Sequence, residues 1–179
     1  MKKEYDIAIS YATAQKDLAD RIYHYVKSAG WRVFFAPACQ STLAGANQRE
    51  VFFRIFSQAA EFVVLLVSQD YLTRKVPMEE ANIAITAHRG DGHVIPVYLD
   101  DARLPDAMWN PDELNYFSSS NPAEIASLLN DKLTCFSKEE RLGRELEASA
   151  KAAIYIQGNS ARNMQIFTDP VINGSNRNG

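Results

Sequence analysis

The sequence predicts an α/β fold in which a central parallel sheet of about five strands lies between layers of helices. Short β-branched and apolar segments alternate with segments of helical periodicity through residues 1–136. This alternation is typical of βαβ units, which build parallel sheets. Residues 62–67 (FVVLLV) are apolar throughout, which indicates a strand covered on both faces. Right-handed crossovers then favour a doubly wound, three-layer sandwich.

Each element has its own signal in the sequence. The predicted strands cover residues 5–10, 31–35, 62–67 and 94–99, with a short fifth strand at 114–117. The predicted helices cover residues 15–29, 47–60, 78–88 and 121–133. Gly30 and Gly90 end two of these helices, and the pair Asn121-Pro122 is a start signal for the last one. Pro96 counts mildly against a central position for its strand, because proline prefers sheet edges.

The chain beyond the α/β domain changes in character twice. Residues 137–153 are highly charged and predict a linker helix with a thin apolar stripe, which packs lightly on the domain. Residues 154–179 are rich in Asn and Gly and contain β-prone segments with little charge, a pattern typical of cross-β assembly. We therefore expect three parts: a domain at 1–136, a linker helix at 137–153 and a possible self-assembly tail at 154–179. A disordered tail, or a β-hairpin that docks on the domain, remains open.

Composition narrows the classes of function. The net charge is −3 and Lys and Arg are scattered, so we expect no nucleic-acid partner. The apolar segments are too short to span a membrane, which predicts a cytoplasmic protein. Cys39 and Cys135 are too few for a disulfide framework, and the three histidines lack metal-ligand spacing. We expect neither a metal nor a bound cofactor.

The candidate site follows from the fold, because doubly wound sheets bind ligands beyond the carboxyl ends of their strands, at a switch point. Glu80 falls near the third strand's end, in the predicted first turn of a helix that begins around Pro77, where the helix dipole stabilises an acid. From position alone a structural cap is the better explanation, because first-turn acids are common and mostly structural. Glu79 is a rival by spacing alone, since neighbouring helical positions point about 100° apart. The expected walls of the cleft are Ser10, Tyr11, Phe35, Ser68 and Tyr71.

Several motifs, in order, resemble the TIR (Toll/interleukin-1 receptor) domain family, whose fold is a flavodoxin-like three-layer sandwich. Residues 6–11 (DIAISY) resemble the first family box, and residues 31–35 (WRVFF) resemble the second strand. Residues 43–45 (LAG) resemble the tip of the BB loop, and residues 64–72 (VLLVSQDYL) resemble the third strand and its turn. Glu80 then stands where catalytic members carry their essential glutamate.

The resemblance implies a NAD glycohydrolase of the bacterial type, which cleaves NAD to nicotinamide and linear or cyclic ADP-ribose. It implies Glu80 as the catalytic residue, NAD as substrate rather than cofactor, and an immune or anti-phage effector activated by self-association. The tail at 154–179 resembles amyloid-like signalling motifs, for self-association or for a partner with a similar motif.

The sequence also departs from the catalytic pattern. Val76 replaces a tryptophan that many catalytic members carry, and Ala12 and Thr13 replace basic residues found in some. The alternative is therefore a non-enzymatic signalling scaffold that acts through TIR–TIR and tail contacts. A nucleotide or phosphate receiver of the flavodoxin type is disfavoured, because neither an acidic cluster after the first strand nor a Gly-rich phosphate loop is found.

Overall fold

The computed structural model describes residues 3–166, apart from the side chains of residues 42 and 152–166. A five-stranded parallel sheet lies at the centre of the domain, in the order β2-β1-β3-β4-β5. Its strands are β1 (Tyr5–Tyr11), β2 (Val33–Phe34), β3 (Ala60–Val67), β4 (Val94–Tyr98) and β5 (Phe117–Ser118). The predicted α/β class, with about five parallel strands, is confirmed.

Six α-helices flank or follow these strands in the described part of the chain. They are α1 (Lys16–Ser28), α2 (Gln40–Leu43), α3 (Gln48–Arg54), α4 (Gln69–Thr73), α5 (Lys75–His88) and α6 (Pro122–Ile166). A π-helical turn, Ile55–Ala59, continues α3 to the start of β3. The Asn47 side chain caps α3 by accepting hydrogen bonds from the backbone N–H groups of Arg49 and Glu50. The cap and the π turn fix where this helix meets the sheet.

β3 is the core strand, as its apolar run predicts. Every residue from Phe62 to Val67 is buried, and the strand pairs with β1 on one side and β4 on the other. Pro96 lies within β4, opposite Leu65. β5 pairs only with Val97 and Tyr98, so the outer side of β4 at Pro96 needs no ladder donor.

The strand order places the switch point between β1 and β3. The chain turns from β1 to β2 on one side and then returns to β3 on the other. Ser10 and Tyr11 pair with Leu65 and Leu66 at the carboxyl ends of these two strands. The helix α5 follows β3 and contacts β1 as well as the π turn. Residues at the start of α5 therefore meet the end of β1.

The C-terminal part departs from its predicted organisation. Asn121 caps α6, since its side chain accepts a hydrogen bond from the N–H of Ala123 (3.0 Å), but the helix continues through Ile166. Neither Gly nor Pro occurs between residues 123 and 142, so nothing in the sequence ends the helix near Leu133. The chain divides into two compact units after Leu133, and α6 crosses this division.

The β-prone tail predicted from residue 154 is therefore corrected for residues 154–166, which are helical. A lone β segment leaves its backbone groups unpaired, whereas a helix pairs them within the segment. The rest of the predicted tail, residues 167–179, lies outside the described residues. No helix in the described range is long and apolar enough to cross a membrane.

Candidate active site

Glu80 lies in the second turn of α5, because that helix begins at Lys75 rather than near Pro77. Pro77 is the third residue of the helix, where the missing N–H costs no helical hydrogen bond. The predicted first-turn position, with stabilisation by the helix dipole, is corrected. The side chain is instead buried, and only 7% of the residue is exposed.

Burial determines the protonation of this carboxyl group. Desolvation raises the pKa of Glu80 from 4.5 to about 7, although a hydrogen bond from Ser10 acts in the opposite direction. A helix-start acid stabilised by its surroundings has a lowered pKa, so Glu80 does not behave as a structural cap. Both its neutral and its ionised forms are populated near neutral pH, which is the condition for a carboxyl that changes charge during a reaction.

A cavity of about 410 Å³ opens beside Glu80 at the carboxyl end of β1. Its walls are largely apolar and come from β1, from the end of β2 and from α3 with its π turn. The apolar side chains include Ile9, Phe34, Phe52 and Phe56. Tyr11 also lines the cavity, and burial, followed by the nearby charge of Glu80, raises the pKa of its hydroxyl. One carboxyl in an aromatic pocket is a setting in which a flat, cationic ring can bind.

Two cations border the same cavity where the chain enters α5. Arg74 forms an ion pair with Asp70 (3.1 Å), and Lys75 lies 3.9 Å from Glu79. The two side chains are 58% and 85% exposed, respectively. Exposed pairs of this kind contribute little stability, so both cations can turn to an anionic ligand at small cost. The cavity thus combines a carboxyl in its wall with positive charge at its border.

Glu79, the rival carboxylate, faces elsewhere. It lines a second cavity of about 300 Å³, together with Arg49 and Ile83, and forms an ion pair with Arg49 (3.5 Å). It is not among the residues that line the larger cavity. Glu80 borders both spaces. The structure therefore distinguishes Glu80 from Glu79 as the carboxylate of the larger cavity, which helical spacing in the sequence could not do.

Ser10 and Tyr71 lie behind Glu80 and do not line the cavity. Ser10 Oγ donates a hydrogen bond to Glu80 Oε2 (2.6 Å) and lies 2.8 Å from Tyr71 Oη. The Tyr71 hydroxyl also donates to the carbonyl oxygen of Pro77 (2.9 Å). Both residues are buried, and burial keeps the pKa of Tyr71 well above its ordinary value. They are placed to act on the carboxyl rather than on a ligand.

Phe35 and Ser68 also lie away from the cavity. Phe35 is buried between the rings of Tyr11 (5.5 Å between centroids) and Tyr23 (5.0 Å). Phe34 borders the cavity in its place, because neighbouring strand residues point to opposite faces. Ser68 caps α4 by accepting a hydrogen bond from the N–H of Tyr71 (3.2 Å). Of the five predicted wall residues, the structure brings only Tyr11 to the cavity.

Sequence reasoning missed Phe34, Phe52, Arg74 and Lys75 as cavity residues. Arg74 and Lys75 directly precede the segment that carries Glu80, so an earlier helix start would have identified them. Phe52 and Phe56 lie four residues apart, a spacing that places both on one helical face. The described residues contain no group of three or more His, Cys, Asp or Glu side chains able to hold a metal ion.

Comparison with known proteins gives the class that this fold and site define. The sequence profile of the TIR domain matches residues 7–129, more than half of the chain. The chain therefore belongs to the TIR domain family. This match includes most of β1, the strands β2 to β5, the cavity, Glu80 and the first residues of α6.

One characterised relative shares this domain at low sequence identity. A 3′ cyclic ADP-D-ribose synthase from Aquimarina amphilecti, AaTIR, is 26% identical over 133 residues, 73% of this chain. The chain spans only 40% of that relative's length.

Two solved structures share the fold, each with a TM-score of 0.56. One is the TIR domain of the Toll-related receptor TRR-2 of Hydra magnipapillata, at 14% identity, covering 73% of this chain and 95% of that one. The other is a TIR-STING receptor from C. gigas in complex with 2′,3′-cGAMP, at 22% identity, covering 72% of this chain and 40% of that one.

Proposed function

We propose that this TIR domain cleaves the bond between nicotinamide and ribose in NAD, with Glu80 as the catalytic carboxylate. The observation that carries the proposal is a single buried carboxyl in the wall of a mainly apolar cavity at the sheet's switch point. The relative named as a cyclic ADP-D-ribose synthase supports an enzyme that uses NAD.

The chemistry needs little more than this carboxyl. As the glycosidic bond breaks, its electron pair leaves with nicotinamide, which departs as a neutral molecule and needs no acid to protonate it. The ribose carbon becomes oxocarbenium-like, and an ionised Glu80 beside it stabilises the positive charge. Water then adds to that carbon and loses its proton, which yields ADP-ribose. A cyclic product forms when a nucleophile of the ADP-ribose itself takes the place of water.

The rest of the cavity suits the rest of NAD. Tyr11 offers aromatic surface for a ring, and Arg74 and Lys75 offer positive charge for the diphosphate. These cations follow the third strand, whereas Ala12 and Thr13 occupy the positions after the first strand where some family members are basic. The phosphate contacts would thus come from a different element of the same site.

The test is nicotinamide release from NAD by the purified full-length chain at high protein concentration, because self-association is expected to favour activity. Glu80→Gln is expected to abolish release, whereas Glu79→Gln serves as the matched control and keeps it. If the parent protein leaves NAD intact even when assembled, the chain is a signalling scaffold and Glu80 has no catalytic role. Release that survives in Glu80→Gln would also contradict the proposal.

A further inference from the structure

Four oxygen atoms behind the cavity form a chain with three short contacts. Glu80 Oε2 lies 2.6 Å from Ser10 Oγ, which lies 2.8 Å from Tyr71 Oη, which lies 2.9 Å from the carbonyl oxygen of Pro77. Each contact is a hydrogen bond only if one proton lies between its two oxygens. All four residues are buried, and Ser10 and Tyr71, which form the middle contact, do not line the cavity, so the protons of this chain come from its own groups.

A count of the available protons distinguishes the two forms of Glu80. The hydroxyls of Ser10 and Tyr71 supply one proton each, and the Pro77 carbonyl supplies none. When Glu80 is ionised, two protons must serve three contacts, and one pair of oxygens is left in contact without a proton. When Glu80 is protonated at Oε2, the acid donates to Ser10, Ser10 to Tyr71, and Tyr71 to Pro77. All three contacts are then satisfied.

We propose that Tyr71 is a positioning residue that acts through Ser10 to favour the protonated form of Glu80 while the cavity is empty. The inference rests on the proposed function for its use in catalysis. The nicotinamide ring of NAD is positively charged, and a positive charge beside a carboxyl favours its ionised form. Substrate entry would therefore release the proton and create the carboxylate only when it is needed.

Other groups near Glu80 are accounted for. The Tyr11 hydroxyl comes from β1, Arg49 from α3, Arg74 from the residue that precedes α5, and Lys75 and Glu79 from the first turns of α5. The cations favour the carboxylate and Glu79 opposes it, but all of them are solvent-screened to a greater extent than the buried chain. Burial of the carboxyl raises the pKa of Glu80 and so favours the protonated form, as the number of available protons does.

The test is a pH titration of the full-length protein with ¹³C-labelled glutamate, in which the Glu80 signal is assigned by its loss in Glu80→Gln. Tyr71→Phe removes the hydroxyl and its conflict, so the Glu80 midpoint should fall by roughly one pH unit, the equivalent of one net hydrogen bond. Ser10→Ala removes the donor to the carboxylate, so the midpoint should rise. These opposite signs are what a merely structural role would not produce.

The matched control is Tyr98→Phe, which removes another buried tyrosine hydroxyl, one that is hydrogen-bonded to the backbone of Leu104. Its Glu80 midpoint should match that of the parent. An unchanged or raised midpoint in Tyr71→Phe would overturn the proposal. Because the titration does not depend on turnover, failure to cleave NAD would refute the proposed function without affecting this result.

A second measurement needs no substitution in case Tyr71→Phe does not fold. Hydroxyl protons held in buried hydrogen bonds exchange slowly enough to be observed by NMR. In the parent protein below the Glu80 midpoint, three such protons should connect Glu80, Ser10, Tyr71 and Pro77, and two should remain above it. Two protons throughout the titration would overturn the proposal.

Discussion

Replacing Glu80 by glutamine should remove a large part of the pH dependence of folding stability. The pKa of Glu80 is raised from 4.5 to about 7 in the folded protein, so the folded state binds this proton more tightly than the unfolded state. The stability from this site is complete below the unfolded pKa of 4.5 and is lost as the pH rises through about 7. At ~1.4 kcal/mol per pKa unit, the loss amounts to about 3 kcal/mol.

Glutamine is neutral at every pH and can donate to Ser10 as the protonated acid does. The assay is urea unfolding of parent and Glu80→Gln at about pH 5 and pH 8, under two-state conditions. From pH 5 to pH 8, the free energy of unfolding of Glu80→Gln should rise by about 2 to 3 kcal/mol relative to that of the parent. The contributions of the other titrating groups are the same in both proteins and cancel in the comparison. The Glu79 carboxylate is at the surface, so for Glu79→Gln the same difference from the parent should be less than about 0.5 kcal/mol. Equal pH slopes in the parent and Glu80→Gln would refute the reasoning.

Two further predictions concern the residues around the cavity. Changing Arg74 and Lys75 together to glutamine should lower kcat/KM for NAD by about tenfold or more, the effect of lost charge-assisted hydrogen bonds. The same variant should cleave nicotinamide riboside, which has no phosphate, as the parent does; an equal loss on both substrates would contradict a phosphate role. Ser68→Ala should lower the free energy of unfolding by about 1 kcal/mol through the lost cap of α4. Its KM for NAD should be unchanged, and a raised KM would return Ser68 to the binding site.

Periodicity and length predicted the sheet well because the apolar strands are short and separated by clear breaks. The run Phe62–Val67 could only be a covered strand in this context, and Asn121-Pro122 correctly indicated the start of α6. The end of α6 was missed, since the charged segment after Leu133 contains no Pro, and its single glycine, Gly143, does not end the helix. The β-prone composition of residues 154–166 did not override this continuation.

The candidate site was predictable in its centre and less so in its walls. The rule that ligands bind beyond the carboxyl ends of the strands and the motif resemblance both led to the end of β1 and to Glu80, which the structure places beside the cavity. Which of Phe34 and Phe35 faces that space depends on the register of a two-residue strand, which the sequence does not specify. Ser10 and Tyr71 were predicted as walls because a hydroxyl after a strand has the same pattern whether it contacts a ligand or another side chain.

The central claim is that the carboxyl of Glu80 must be ionised for NAD to be cleaved. The most direct measurement is the pH dependence of nicotinamide release by the parent protein, alongside the ¹³C titration of Glu80. At NAD concentrations well below KM, where the rate reports the ionisation of the free protein, release is predicted to rise with pH, with a midpoint that matches the ionisation of Glu80 near 7, and to be absent in Glu80→Gln. Release that stays constant while Glu80 ionises, or that persists in Glu80→Gln, would contradict the account.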